Sequence, residues 1–223
     1  MKLSADKYVR VLLADDHPVF LGGVRALLED AADVTIVGEA TSGSRALRLI
    51  TETRPDVAVL DVAMPEMHGI AVAQHLAAEV SPTRVVILSV HEDRTYVREA
   101  LIAGVRGYVL KRSAGENLVQ AVRAVSGSGL YIDPAIADRF VSTSDIMPRT
   151  GARTVPMLTD REREVVRLIA LGFTNKEVAS KLGVTAKSVE TYKMRATEKL
   201  DIRTRAKIVQ YAMLQGWFQS PMQ

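Results

Sequence analysis

The sequence contains no cysteine. That excludes disulfides, thiolate zinc sites and cysteine nucleophiles together, and it suits a reducing compartment. Aromatic residues make up only 5% of the chain, so its cores must be aliphatic. The first part of the chain offers no evident aromatic-lined pocket for a small signal molecule. No apolar run approaches the roughly 18 residues needed to cross a bilayer. Met1–Arg10 is polar and lacks the apolar core of a signal peptide. The chain is therefore expected to be soluble and cytoplasmic, with no membrane partner. Internal repeats and low-complexity tracts are missing as well.

A length of 223 residues suits two domains. With 48% hydrophobic and 25% charged residues, the composition is that of a packed globular protein. The net charge of +3 hides an asymmetry: residues 156–223 hold 12 Lys/Arg against 7 Asp/Glu, and residues 1–155 hold 17 against 19. A basic C-terminal module beside an acidic N-terminal one suggests a nucleic-acid partner for the former, although many basic domains bind nothing in particular.

Five short runs rich in β-branched residues read as buried strands: Val9–Ala14, Val34–Glu39, Val57–Leu60, Val85–Ser89 and Gly107–Leu110. Amphipathic stretches lie between and after them, at Pro18–Asp30, Ser44–Thr53, Gly69–Glu79, Arg94–Ala103 and Glu116–Ser126. Fivefold strand–helix alternation predicts a doubly wound, five-stranded parallel α/β sheet spanning residues 1–128. Residues 129–156 read as a linker with one short helix, Pro134–Val141, and residues 142–155 (STSDIMPRTGARTV) have linker composition.

Residues 157–223 read as helices only. Thr159 with Glu162, and Thr174 with Glu177, are capping-box pairs, and Gly172 and Gly183 stop the helices they open. Thr185 opens a third helix to Leu200, and Thr204 a fourth to Gln215, ended by Gly216. Two capped helices joined by Gly183-Val184-Thr185 make a helix-turn-helix pattern.

In a doubly wound sheet, chemistry gathers at the carboxyl ends of the strands. Asp15 and Asp16 follow the first strand, Asp61 the third and Lys111 the fifth, while Ser89 ends the fourth. Three close carboxylates repel one another unless a cation joins them, and an all-oxygen site favours a hard cation such as Mg²⁺. A carboxylate can then act as nucleophile toward a phosphoryl group, with Lys111 supplying charge and Ser89 a hydrogen bond. Taken singly, each residue has a plainer reading. The Asp15–Asp16 pair can merely favour a helix N-terminus, Lys111 can be a surface lysine, and Ser89 a strand-end hydroxyl. Their joint placement at one edge is what gives the pattern meaning. His17, His68 and His75 lack metal-like spacing and read as structural or exposed.

In the third helix of the C-terminal part, Val189, Lys193, Ala196 and Leu200 share one face, with Tyr192 at its margin. That face is expected to pack on the other helices, with Lys193 along its edge. Lys187, Glu190, Thr191, Met194 and Arg195 point away. Such a face suits the major groove of double-stranded DNA. Glu190 can accept from cytosine and Thr191 or Met194 can touch a thymine methyl, while Lys187 and Arg195 reach phosphate or guanine. Tyr192 and Lys193 are placed nearer phosphate. Each charged residue alone has the alternative of a solvated helix face. Ile208, Val209, Ala212 and Met213 form an apolar stripe on the fourth helix. Trp217 and Phe218 are either a clasp on the core or a patch for a partner.

Asp15-Asp16, Asp61 within DVAMPEMHG, Ser89, Tyr108 and Lys111 resemble, in order and spacing, the receiver domain of two-component response regulators over Val9 to Ser126. Leu158–Gly216 resembles the LuxR-type helix-turn-helix of NarL/FixJ response regulators. The resemblance implies phosphorylation of Asp61 by a sensor histidine kinase. It implies Mg²⁺ held by Asp16 directly, by Asp15 mainly through water, by Asp61 and by the carbonyl of Ala63. It makes Ser89 and Tyr108 a switch pair, with the hydroxyl turning to the phosphoryl group and the ring moving inward. It implies a homodimer at least when phosphorylated or DNA-bound, on an inverted repeat, with part of the fourth helix at the dimer contact.

Two departures stand out. Val90 occupies a position where many receivers have alanine, which is expected to reduce the space for Tyr108. Arg112 occupies a position where many have a cis-proline, which is expected to loosen that loop. Ala63 and His91 flank the route of water to an acyl phosphate and are expected to tune its lifetime. The function expected is a DNA-binding transcription regulator that accepts and slowly hydrolyses a phosphoryl group, not a turnover enzyme. The alternatives are a phosphorylation-independent regulator with a scaffold receiver, a phosphohydrolase, for which no general acid stands beside Asp61, and a regulator that binds a small signal.

Overall fold

The computed structural model describes residues 8–141, 158–200, 202, 204–215 and 217–218. The chain divides into two compact units, Met1–Thr143 and Ser144–Gln223.

The first unit is built on a parallel sheet of β1 (Val9–Ala14), β2 (Val34–Ala40), β3 (Val57–Asp61), β4 (Arg84–Ser89), β5 (Gly107–Leu110) and β6 (Tyr131–Ile132), in the order β2-β1-β3-β4-β5-β6. The helices between them are α1 (Pro18–Glu29), α2 (Gly43–Thr53), α3 (Gly69–Ala78), α4 (Arg94–Ile102) and α5 (Ala114–Ser126), and α6 (Pro134–Val141) follows β6. Every residue of β3 and β5 is buried, because helices cover both faces and neither face can be polar. With side chains alternating, Val11, Leu13, Val57, Val59, Val86, Leu88 and Val109 pack with Leu21, Val24 and Leu28 of α1 and Leu118, Val122 and Val125 of α5. The opposite face carries Leu12, Ala58, Leu60, Ile87 and Tyr108, all fully buried.

The sheet has six strands where the sequence led us to expect five. Tyr131 and Ile132 pair in parallel with Gly107 and Tyr108. A two-residue strand after Gly127-Ser128-Gly129 has no apolar run to announce it. Residues read as linker from position 129 thus supply a strand and a helix to the first unit. The linker-like residues 142–155 lie outside those described.

Because β1 lies between β2 and β3, the chain leaves β1 and β3 in opposite directions across the sheet, and a crevice opens at their carboxyl ends. Gly69, the first residue of α3, closes its floor. Its N–H donates to the carbonyl of Val62 (3.1 Å), and a Cβ there would lie 2.2 Å from the carbonyl oxygen of Asp61.

The second unit has α7 (Asp160–Ala170), α8 (Asn175–Leu182), α9 (Ala186–Leu200) and α10 (Arg205–Leu214). Both expected capping boxes form, Thr159 with Glu162 and Thr174 with Glu177. Gly183 ends α8 at φ 65°, the left-handed conformation that glycine adopts without steric cost. Val165, Val166, Ile169, Val178, Val189, Ala196, Ile208 and Ala212 form the core. Trp217 packs against it, its ring edge-on to Tyr211 at 5.5 Å and its N–H on the carbonyl of Ala212. That is the clasp. Phe218 is exposed. Gly216 lies outside the described residues.

Gly69→Ala is expected to destabilise the first unit by on the order of 1–3 kcal/mol, the usual cost of overpacking, because backbone must move to admit the methyl. Chemical denaturation compared with the wild type checks it. An unchanged midpoint would show that α3 does not need this close approach.

Candidate functional site

At the crevice, Asp15 and Asp61 are buried and Asp16 is partly exposed. One ligand atom from each of Asp15, Asp16, Asp61 and His17 lies within 4.8 Å of the others. The ammonium of Lys111 sits 2.7 Å from Asp15 Oδ2 and 3.0 Å from Asp61 Oδ1. It also lies 4.5 Å from the ring centre of Phe20, a cation–π contact that the sequence did not reveal. The backbone N–H of His17 donates to Asp15 Oδ1 at 2.8 Å.

Asp15 Oδ2 and Asp16 Oδ1 are buried and accept no well-aligned hydrogen bond. Their near neighbours are the Lys111 ammonium and, at 2.8 Å, His17 Nδ1. Buried carboxylate oxygens with lone pairs to spare, gathered from three acids, fit a hard divalent cation. Ala63, whose carbonyl is the other expected ligand, stands in the exposed turn two residues after Asp61. His17 has no metal-like spacing in the sequence. It reaches the acids because it immediately follows them at the start of α1.

Burial raises the pKa of Asp61. Lys111 opposes the rise, and the charges of Asp15 and Asp16 add to it. Burial works against the charge on Lys111, but its contacts with Asp15 and Asp61 prevail and hold the ammonium more firmly protonated than usual. The site is thus one cation short of neutrality.

Ser89 and Tyr108 meet at the next residue pair along the edge. The Ser89 hydroxyl accepts from the His91 N–H (3.0 Å), and the Tyr108 hydroxyl donates to the His91 carbonyl (2.9 Å). The Tyr108 ring is fully buried. The ring expected to move inward is therefore already inside. Burial raises the Tyr108 pKa, so its hydroxyl stays a donor. Val90 does not crowd it: Val90, just past the end of β4, is 70% exposed. The imidazole of His91 stacks on Tyr96 of α4 at 4.0 Å, and burial lowers its pKa. The loop expected to be loosened by Arg112 is a 3₁₀ turn, Lys111–Ser113, in which Arg112 pairs with Glu92.

On α9, Val189, Ala196 and Leu200 are buried, Tyr192 packs partly against the core, and Lys193 is half-buried. Lys187, Glu190, Met194 and Arg195 are exposed. Thr191 is half-buried. Its hydroxyl donates to the Lys187 carbonyl (3.0 Å), which leaves its methyl and the hydroxyl's acceptor lone pairs to a partner. Ser188 N–H donates to Thr185 Oγ1 at the helix start. The sequence did not reveal that Lys199 bonds the buried Glu162 at 2.6 Å and ties α9 to the cap of α7.

A phosphoacceptor-like acid cluster on one unit and an exposed basic helix on the other are the marks of a switched regulator. Residues 11–123 match the response regulator receiver domain, and residues 156–212 match the luxR family of bacterial regulatory proteins. The chain belongs to the two-component response regulators that join a receiver to a LuxR-type DNA-binding domain and regulate transcription. It is similar to the transcriptional regulatory protein MctR of Rhizobium johnstonii, 34% identical over 208 residues, which cover 93% of this chain and 94% of that protein. The receiver domain of the putative response regulator NarL from Mycobacterium tuberculosis is 41% identical, with a TM-score of 0.53, over 54% of this chain and 98% of that one. RcsB of Salmonella enterica serovar Typhimurium, solved on promoter DNA, is 24% identical and shares the fold, with a TM-score of 0.76 over 93% of this chain and 98% of that one.

An acid whose pKa is raised by folding weakens the fold when ionised. The penalty is full above the folded-state pKa and gone below the unfolded value of 3.8. Asp61→Asn is therefore expected to raise the melting temperature at neutral pH in metal-free buffer, with the gain fading as pH falls toward 3.8. Mg²⁺ should stabilise the wild type more than the variant. A lower melting temperature for Asp61→Asn at neutral pH would show that Lys111, not burial, dominates the site.

Proposed function

We propose that Asp61 accepts a phosphoryl group from a sensor histidine kinase and that its modification controls DNA binding by the second unit. The observation that carries this is the Asp15–Asp16–Asp61 cluster with Lys111 bridging Asp15 and Asp61. Asp15, Asp16, Asp61 and the Ala63 carbonyl would hold Mg²⁺, which when bound neutralises carboxylate and phosphoryl charge. The ionised Asp61 oxygen attacks phosphorus, the bond from phosphorus to the donor's imidazole nitrogen breaks, and the nitrogen keeps the electron pair. Lys111 stays protonated and faces the added negative charge. Ser89, whose oxygen accepts from the His91 N–H, turns to donate its hydroxyl proton to a phosphoryl oxygen and gives up that contact. Because Tyr108 holds the other side of the same peptide region, through the His91 carbonyl, that exchange is felt by its ring. The altered face lies on α4, β5 and α5. Slow hydrolysis of the acyl phosphate, with Ala63 and His91 beside the route of water, resets the switch.

On DNA, Lys187, Glu190, Thr191, Met194 and Arg195 lie in the major groove, with Tyr192 and Lys193 toward phosphate. A homodimer, formed at least when phosphorylated or DNA-bound, reads an inverted repeat. A cytoplasmic protein suits these roles. No described helix is long and apolar enough to cross a membrane.

Sedimentation with Mg²⁺ and beryllofluoride tests the switch: the wild type is expected to shift to dimer, and Asp61→Asn to show no shift and no acid-labile phosphate after a phosphodonor. Phosphate retained on the variant would sink the assignment. For the DNA face, Lys187→Ala should weaken binding uniformly across sequences and reduce the salt slope by about 1. Glu190→Ala should relax preference at one base pair by about 1–3 kcal/mol. Anisotropy titrations on selected and scrambled sites measure both, and equal affinity of the wild type for all sequences would remove the base-reading role.

A further inference from the structure

Asp133 is a buried carboxylate outside the acid cluster, in a stretch whose sequence reads as linker. Its side chain is fully buried. Oδ2 accepts from the Leu110 N–H (3.0 Å) and from the Ser113 hydroxyl, and Oδ1 accepts from the Ala135 N–H (3.0 Å). The Asn117 side chain is a further donor. Its own N–H extends the β5–β6 pairing by donating to the Tyr108 carbonyl (2.8 Å). These partners are neutral. A buried carboxylate held only by neutral donors is costly unless each of its oxygens is satisfied, and here both are. The donors outweigh burial and keep the acid ionised.

Two of those donors flank one residue. Leu110 precedes Lys111, and Ser113 ends the 3₁₀ turn that Lys111 begins. The backbone that carries Lys111 is therefore clamped on both sides by one oxygen of Asp133. The Lys111 side chain has several rotatable bonds, so its reach to Asp15 and Asp61 depends on where that turn starts.

We propose that Asp133 is a positioning residue for phosphoryl transfer: by fixing the Lys111–Ser113 turn it sets the Lys111 ammonium between Asp15 and Asp61. This rests on the reading of Asp61 as the acceptor. Asp133 touches neither the acids nor the phosphoryl group, and it acts only through the turn. The acids that would hold the cation sit after β1 and β3 and do not depend on the turn for their own placement, and Lys111 competes with the cation for Asp15 and Asp61, so loosening the turn should slow transfer without weakening cation affinity.

The test uses the full chain with acetyl phosphate as donor. It follows the maximal rate of phosphoryl uptake at saturating Mg²⁺, with Mg²⁺ affinity measured separately by calorimetry. Asp133→Asn keeps the shape but turns one acceptor into a donor. It is expected to lower the maximal rate roughly tenfold, the scale of a small misplacement, with Mg²⁺ affinity not weakened. A wild-type rate in a folded variant overturns the proposal. So does a parallel loss of rate and Mg²⁺ affinity, which would mark general collapse of the site. Should Asp133→Asn fail to fold, Ser113→Ala decides. It removes one donor, and a rate reduced about threefold is expected, whereas an unchanged rate overturns the clamp. Asp61→Asn runs alongside: uptake by that variant removes the acceptor reading itself, whereas its inactivity beside a fully active Asp133→Asn removes only the role of Asp133.

Discussion

Everything in the first unit turns on the Lys111 ammonium lying between Asp15 and Asp61. Without it, three carboxylates at the mouth of a parallel sheet face one another with only a mostly exposed imidazole, that of His17, nearby. With it, the cluster holds together yet keeps an excess of negative charge, and burial, with the nearby charges of Asp15 and Asp16, raises the pKa of Asp61. A site in that condition is receptive to a divalent cation and, once the cation is bound, to a phosphoryl group. The fold supplies the crowding: β1 and β3 are neighbours and diverge at their ends, so Asp15 and Asp61 cannot separate. β5 lies two strands away, beyond β4, and only a long side chain can cross that distance. A lysine meets the requirement as a mobile point charge, where a planar arginine fork would impose its own geometry.

The strands that build this edge were legible because burial on both faces leaves no room for polar residues. β1, β3, β4 and β5 read directly as apolar runs. The five residues converging at the edge followed from counting what comes after each run. What escaped is what no periodicity encodes. β6 is two residues long and follows a glycine-serine turn, so Asp133 looked like linker rather than the cap of a helix in the first unit. His17 and Phe20 surround the cluster from α1 without any spacing that marks them. The size of Val90 suggests an obstacle, but its place decides: it lies just past the end of β4 and faces solvent, while Tyr108 is buried within β5. In the second unit the capping boxes and Gly183 were plain in the sequence, because caps are local. The Lys199–Glu162 bond, 37 residues apart, was not.

The His91 peptide region gives the switch a mechanical reading. The Ser89 hydroxyl accepts from the His91 N–H and the Tyr108 phenol donates to the His91 carbonyl, so both side chains are held at one residue. The imidazole of the same residue stacks on Tyr96 of α4. Tyr108 also accepts, through its carbonyl, from the N–H of Asp133. The strand that bears the aromatic switch is therefore tied to the residue that anchors the Lys111 turn. In the switch proposed above, charge added at Asp61 acts on Ser89 and on Lys111, and both contacts lead to β5.

That convergence explains why the edge of the sheet beyond β5 matters. A five-stranded sheet would leave β5 with an open side and the turn after it anchored only by α5. The sixth strand closes that side, and Asp133, at its end, does so with a charge that has no ionic partner among the contacts described for it. A buried carboxylate is a poor choice if stability were the only demand, since an amide or an apolar residue avoids its desolvation cost. Its merit is geometric. One oxygen accepts from a backbone N–H and a hydroxyl three residues apart in the chain while the other accepts from the Ala135 N–H, and an amide in its place would turn an NH₂ toward one of these donors. The desolvation cost then falls on a residue remote from the reacting atoms, and the precision appears at Lys111.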